Sequence, residues 1–333
     1  MREPNILAVP ADRDRVAFAP GFGQRFIVTV DTEEEFDWGK PLHRTEHELG
    51  HVPRIAKFQE FCEGHGVVPL YLIDYPVATD PVAAEILREP VAAGRAEVGV
   101  QLHPWVSPPF EEEVCEFNSF SGNLPEALER AKFHKLRDAI EEAFGATPLV
   151  YRAGRYGVGP RSAGILRECG IAIDTSVRAQ FNYSGGGGPD FTHHPLAPYW
   201  IDRDAGLMEM PLTTVFWGPL RRQGRALYPR LWRAPRLRGL LSRLGLLERI
   251  ALTPEGISAD EAIKAIDIAI DDALPLLVFS FHSPSLDIGH TPYVKTADDL
   301  EQFYDWWRRA FAYLEQRSVH PASVREIIAA AQA

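Results

Sequence analysis

From Phe26 to His282 the chain alternates between two hydrophobic periods. Short apolar, β-branched runs (FIVTVD, VVPLYLID, AEVGVQLH, PLVYR, IAIDTS and, much later, PLLVFSFH) are separated by stretches with helical spacing near 52–64, from Asp80-Pro81, from Pro125, from Pro160 and from Ser258. Two further helical patterns follow at 297–316 and 321–331. Strands that alternate with helices predict βαβ units and a parallel sheet. Pro81, Pro125 and Pro160 mark helix starts, where a fixed φ and a missing N–H cost nothing.

The C-terminal end of each apolar run carries a polar or ionisable residue: Asp31, Asp74, His103, Arg152, Asp174 and His282. In parallel α/β folds that edge holds the active site. Asp74 alone reads as an ordinary strand-end residue, but six equivalent positions predict a shared pocket. Two stretches break the pattern. Residues 181–200, with the Gly185 to Gly188 run, predict a loop or lid. Residues 220–250 carry nine arginines and one acid, Glu248. This basic island reads as an amphipathic helix with solvated arginines, or as a peripheral or oligomer contact. One domain over 20–333, interrupted by these two insertions and preceded by an extension at 1–19, is the simplest organisation.

Composition narrows the function. The chain has 333 residues, 45% hydrophobic and 24% charged, enough for a large core. A formal net charge of -11 argues against a nucleic-acid binder. Cys62, Cys115 and Cys169 are scattered and contain no Cys-x-x-Cys pair, which fits a reducing compartment. The start of the chain has no apolar signal run, and no stretch approaches a membrane span, so a cytoplasmic location is expected.

Asp31 ends its strand among Glu33, Glu34, Glu35 and Asp37, a carboxylate crowd that can supply a base, metal ligands or both. Glu34 and Glu35 read as a solvated acidic loop. His103, flanked by Pro104 and Trp105, can ligate a metal or move protons. Arg152 can hold a carboxylate, and Arg155 and Tyr156 can face substrate. A carboxylate beside His282 would make it a competent acid, with Asp174 the candidate. His43, His47 and His51 recur every fourth residue but read as a solvated face, as does His193-His194.

As an ordered set, VDTEEEFDW, QLHPWVSPP, YRAGRYG and FSFHSPSL resemble the NodB-homology polysaccharide deacetylases, in particular a bacterial subgroup associated with surface-polysaccharide gene clusters. The resemblance implies a distorted (β/α) barrel with about seven parallel strands and metal-assisted removal of N-acetyl groups from a carbohydrate. It also implies roles: Asp31 as base, Arg152 orienting it, Asp174 tuning His282, and His282 protonating the leaving amine. Trp105, Arg155 and Tyr156 would bind substrate, with a backbone N–H near Tyr156 helping to stabilise the oxyanion. Glu33 and His103 would hold a divalent metal, zinc being the candidate. The motifs depart from the family at Thr32, where it has a second aspartate, and at Ser107, where it has a second histidine. Gly154 replaces a proline and Ser280 a leucine. Three readings follow: a metal-assisted glycan deacetylase, a metal-independent allantoinase-like hydrolase of another amide, and a non-catalytic glycan-binding protein.

Overall fold

The computed structural model describes residues 3–37, 39–232 and 234–332. Its strands in chain order are β1 Arg25–Thr32, β2 Leu70–Ile73, β3 Glu97–Leu102, β4 Val150–Ala153, β5 Ile173–Asp174, β6 Tyr199–Asp202, β7 Leu207–Glu209, β8 Thr214–Trp217, β9 Glu248–Ala251 and β10 Leu276–His282. The main sheet runs β10-β1-β2-β3-β4-β5-β7-β6, parallel except for the last pair. Segment 210–213 bridges the remaining gap. Met210 N–H donates to Asp174 O at 2.8 Å, Leu212 N–H to Val177 O at 3.1 Å, and Thr213 N–H to Val278 O at 3.3 Å. This is a curled, mostly parallel half-barrel.

Strand alternation divides the core in two. Ile27, Leu70, Leu72, Val150, Ile173, Leu276 and Val278 fill the barrel interior. Val28, Val30, Tyr71, Val100, Tyr151, Leu277, Phe279 and Phe281 point outward against the helices. These strands are covered on both faces, which explains their nearly unbroken apolar runs.

The helices are α1 Ile55–Gly64, α2 Pro81–Ala92, α3 Glu126–Phe144, α4 Ser162–Glu168, α5 Gly224–Trp232, α6 Pro235–Arg243, α7 Ala259–Asp271, α8 Ala297–Gln316 and α9 Val324–Ala330, the last packing Val324 and Ile327 with the residues of the barrel interior. Helix α8 shows how local chemistry sets a boundary. Thr296 accepts from Asp299 N–H at 3.2 Å while the Asp299 carboxylate accepts from Thr296 N–H at 2.9 Å, satisfying two of the otherwise open donors. Its Phe303, Trp307, Phe311 and Leu314 then recur at helical spacing and bury against the sheet.

The N-terminal segment joins the body: Val16 N–H donates to Pro198 O at 3.0 Å, and Ala17 and Phe18 pair with Gln332 and Ala331. The basic insertion folds as α5 and α6 against a ribbon of β8 and β9, sharing a small core of Phe216, Leu231 and Leu247. Not all of its leucines pack inward: Leu237, Leu240 and Leu244 on and just after α6 are about half exposed.

Candidate active site

The C-terminal ends of β1, β3, β4 and β10 open onto a cavity of about 660 Å³, lined by Asp31, Glu33, Gln101, His103, Arg152 and His282 among others. Sheet register explains the convergence. His282 pairs with Asp31 across β10 and β1, and Gln101 pairs with Arg152 across β3 and β4. Asp31 and Glu33, Gln101 and His103, and Ser280 and His282 are each two residues apart and so share the inner face.

Asp31 is buried and ion-paired to Arg152 through Oδ1. The guanidinium also donates to Ser280 Oγ at 3.0 Å, Thr29 Oγ1 at 3.0 Å, Thr175 Oγ1 at 3.2 Å and Thr175 O at 3.1 Å. All its donors are engaged, which is how a buried arginine is tolerated. Ser280, in place of the family's leucine, is one of these acceptors. Asp31 Oδ2 faces His282 Nε2 at 3.8 Å.

The other nitrogen of His282, Nδ1, lies 2.7 Å from Glu255 Oε2, and Glu255 Oε1 accepts from the His282 N–H at 3.2 Å. Burial works against the imidazolium, but Glu255, Glu33 and Asp31 outweigh it and raise the His282 pKa to about 10. The carboxylate partner is therefore Glu255 rather than Asp174. Ile173 faces the barrel interior, so Asp174 points to the outer face, where it accepts from Ser176 Oγ at 2.6 Å and lies beside Glu209. Desolvation raises both carboxyls, Glu209 far above its usual range. Glu255 lies in an irregular stretch between β9 and α7 that has no periodicity, and nothing in its sequence context pointed to it.

His103 Nδ1 lies 2.9 Å from Glu34 Oε2, while its Nε2 faces Glu33 Oε2 at 3.4 Å. Trp105 stacks on the imidazole with centroids 4.4 Å apart and donates its indole N–H to Glu34 Oε1 at 2.7 Å. It is almost wholly buried and braces His103 from behind. Gly154 explains the missing proline: a Cβ there would lie 2.4 Å from His103 Cδ2. Glu34 and Glu35 are not solvated. Glu34 is fully buried, and Glu35 accepts from His51 N–H at 2.6 Å and lies 2.9 Å from His290 Nδ1. His51 is also buried, with Nε2 2.8 Å from Ser283 Oγ. His194 is buried too, against Ile6 O at 3.2 Å. Asp74 has the structural role expected of it, accepting from Val77 N–H at 2.9 Å and Glu34 N–H at 2.7 Å.

Arg155 and Tyr156 both have left-handed backbones, with φ of 53° and 61°. Such strain, of order 1–3 kcal/mol per residue, is usually retained at functional sites. Arg155 is exposed at the rim, held by Ser119 Oγ at 2.6 Å and Glu116 at 3.3 Å.

Two groups could hold a cation. Glu34, Asp74 and His103 offer ligand atoms within 4.8 Å of one another. Their oxygens already accept from Trp105, His103, Val77 and Glu34 itself, and burial raises both carboxyls. The second group fits better. Gln101 Nε2 donates to Glu33 Oε2 at 3.2 Å, leaving Glu33 Oε1 and Gln101 Oε1 buried beside His103 without a hydrogen-bond partner among the described residues. Amide oxygen and nitrogen can exchange by a flip, so Glu33, Gln101 and His103 present an O, O, N donor set toward the cavity. Ser107, at the family's second-histidine position, is fully buried, and its hydroxyl has no hydrogen-bond partner among the described residues.

No protein-family model and no curated protein matches the chain. Solved structures do. One from Mycobacterium smegmatis covers 95% of this chain and 98% of its own at TM-score 0.51 and 15% identity. One from Pseudomonas aeruginosa PAO1 covers 93% and 91% at TM-score 0.50 and 15% identity. Both carry a provisional description as polysaccharide deacetylases. Puue allantoinase covers 93% of this chain and 90% of its own at TM-score 0.51 and 14% identity. The fold is thus the distorted (β/α) barrel of the polysaccharide deacetylases. Among the described residues, no helix is long and apolar enough to cross a membrane.

Proposed function

We propose that this chain is a hydrolase that removes N-acetyl groups from a carbohydrate or glycan precursor. The observation that carries this reading is the facing pair of Asp31 and His282, 3.8 Å apart at the cavity floor, each backed by its own oppositely charged partner. Asp31, held by Arg152, takes a proton from the attacking water. His282, kept protonated by Glu255, gives a proton to the departing amine nitrogen. The products are acetate and a free amine. Tyr156 and Arg155 line the cavity where the sugar would lie, and a backbone N–H near Tyr156 would stabilise the developing oxyanion. Asp174, on the outer face, acts only through the strand end it helps to hold.

A divalent ion on Glu33, Gln101 and His103, zinc being the candidate, would polarise the amide carbonyl. A second reading, metal-independent hydrolysis of another amide, is supported by the Gln101 to Glu33 hydrogen bond, which already satisfies part of that donor set. The three cysteines are unpaired, which suits a cytoplasmic site of action. The deciding experiment is metal analysis of the purified protein combined with acetate release from N-acetylated oligosaccharides, with and without chelator. Chelator-sensitive release supports the first reading and metal-free cleavage the second. Asp31→Asn with undiminished turnover would sink both.

A further inference from the structure

We propose that the cavity contains an anion-recognition subsite centred on Arg178, so that the substrate is an amide-bearing sugar that also carries a carboxylate or phosphoryl group. The inference rests on the amide-hydrolase reading of the same cavity but draws on a different part of it.

The argument begins with charge balance around the cavity. Its other cationic or ionisable nitrogen groups each have an acid: Lys40 with Asp37 at 3.1 Å, Arg152 with Asp31, Arg155 with Glu116 at 3.3 Å, His103 with Glu34 at 2.9 Å and His282 with Glu255 at 2.7 Å. Arg178 also lines the cavity, yet among the described residues it forms no ion pair with any aspartate or glutamate. Its hydrogen bond is a long one, Nη1 to Tyr183 Oη at 3.4 Å. A partly buried positive charge without a counter-charge is costly, and a bound anion would relieve that cost.

The surroundings hold the guanidinium ready for such a ligand. Its carbon lies 4.0 Å from the Phe181 ring centroid and 5.5 Å from that of Tyr156. Arg249 lies over the same Phe181 ring at 3.4 Å. The backbone is fixed just upstream, where Val177 N–H donates to Glu209 Oε1 at 3.0 Å and Val177 O accepts from Leu212 N–H at 3.1 Å. A planar, pre-oriented guanidinium suits bidentate binding of carboxylate or phosphate. Tyr156 and Tyr183, with ring centroids 5.6 Å apart, add aromatic surface for the sugar. Tyr183, which lines the cavity, lies near the start of the glycine-rich insertion, which thereby gains a function in this subsite.

The test uses Asp31→Asn protein, in which the loss of the base should block turnover, titrated calorimetrically with three N-acetylated probes: neutral diacetylchitobiose, an N-acetylated aminouronic acid and N-acetylglucosamine 1-phosphate. At least one anionic probe is expected to bind about 10- to 100-fold more tightly than the neutral one. Which of the two does so identifies the source of the charge. Arg178→Gln should abolish the gap and Arg178→Lys retain part of it, with thermal melts confirming that both variants fold. KM values on wild-type protein give the same comparison should Asp31→Asn fail to fold. Equal affinity for all probes, or a gap that survives in Arg178→Gln, overturns the proposal. An Arg178-dependent gap without amide turnover in wild type would leave the subsite standing and sink only the hydrolase reading.

Discussion

Replacing Glu255 by glutamine should move the alkaline limit of activity. In the wild type the His282 pKa is raised to about 10, with Glu255 the leading cause of the rise against the opposing effect of burial. The folded protein therefore keeps His282 protonated at neutral pH and releases the proton only as pH climbs through about 10. A charge-assisted hydrogen bond is worth about 1.5–3 kcal/mol, or about 1–2 pK units. Glu255→Gln keeps the shape and a hydrogen-bonding group 2.7 Å from Nδ1 but removes the charge. The high-pH limb of the kcat/KM profile should then fall by about 1–2 units, and an NMR titration of the His282 ring should fall with it. Asp174→Asn should leave that limb in place, because its carboxyl pairs with Glu209 on the outer face. A limb unmoved in Glu255→Gln, or one moved equally by Asp174→Asn, would refute the pairing.

Other substitutions probe the frame. Burial raises the Glu129 pKa to about 7, against the hydrogen bond from Ser162 that lowers it, so the folded state holds a proton that the unfolded chain releases near 4.5. Stability from this proton is complete below about pH 4.5 and lost as pH rises through about 7, a change of roughly 3 kcal/mol. Glu129→Gln should flatten that slope in urea denaturation at pH 5 and pH 8.5; an unchanged slope would contradict it. Lys132 is buried and donates to Pro104 O, Ser107 O and Pro109 O at 3.0, 2.6 and 2.7 Å while pairing with Glu112 at 3.0 Å, so Lys132→Met should cost about 3 kcal/mol in chemical denaturation. Gly154→Ala should displace His103 and lower kcat/KM far more than it lowers the melting temperature; a fully active variant would show that the imidazole has room to move. Gln101→Ala should weaken zinc binding in calorimetry if the amide is a ligand.

The fold was legible because βαβ grammar is repeated and most of the parallel strands sit in apolar runs long enough to read. The short elements β6 to β9 were not, since strands of three or four residues carry no readable period. Within the site, Asp31, Arg152, His103 and His282 could be placed because they end readable strands. Asp174 shows the limit of that reasoning: it also ends a strand, but alternation turns it outward, and a strand only two residues long gives no pattern from which to tell its faces. Glu34 and Glu35 looked like surface acids by residue type alone. Their burial depends on His103, Trp105 and His51, which lie far away in sequence.

The saturated guanidinium of Arg152 has a consequence for ligand entry. With every N–H committed before anything binds, the Asp31 carboxylate is fixed against the barrel floor, and a ligand need not freeze side-chain motion there. Differences between ligands are then met at the rim, where Arg155 is exposed. The buried end of the cavity is thus set before a ligand arrives, and discrimination among ligands is left to its entrance.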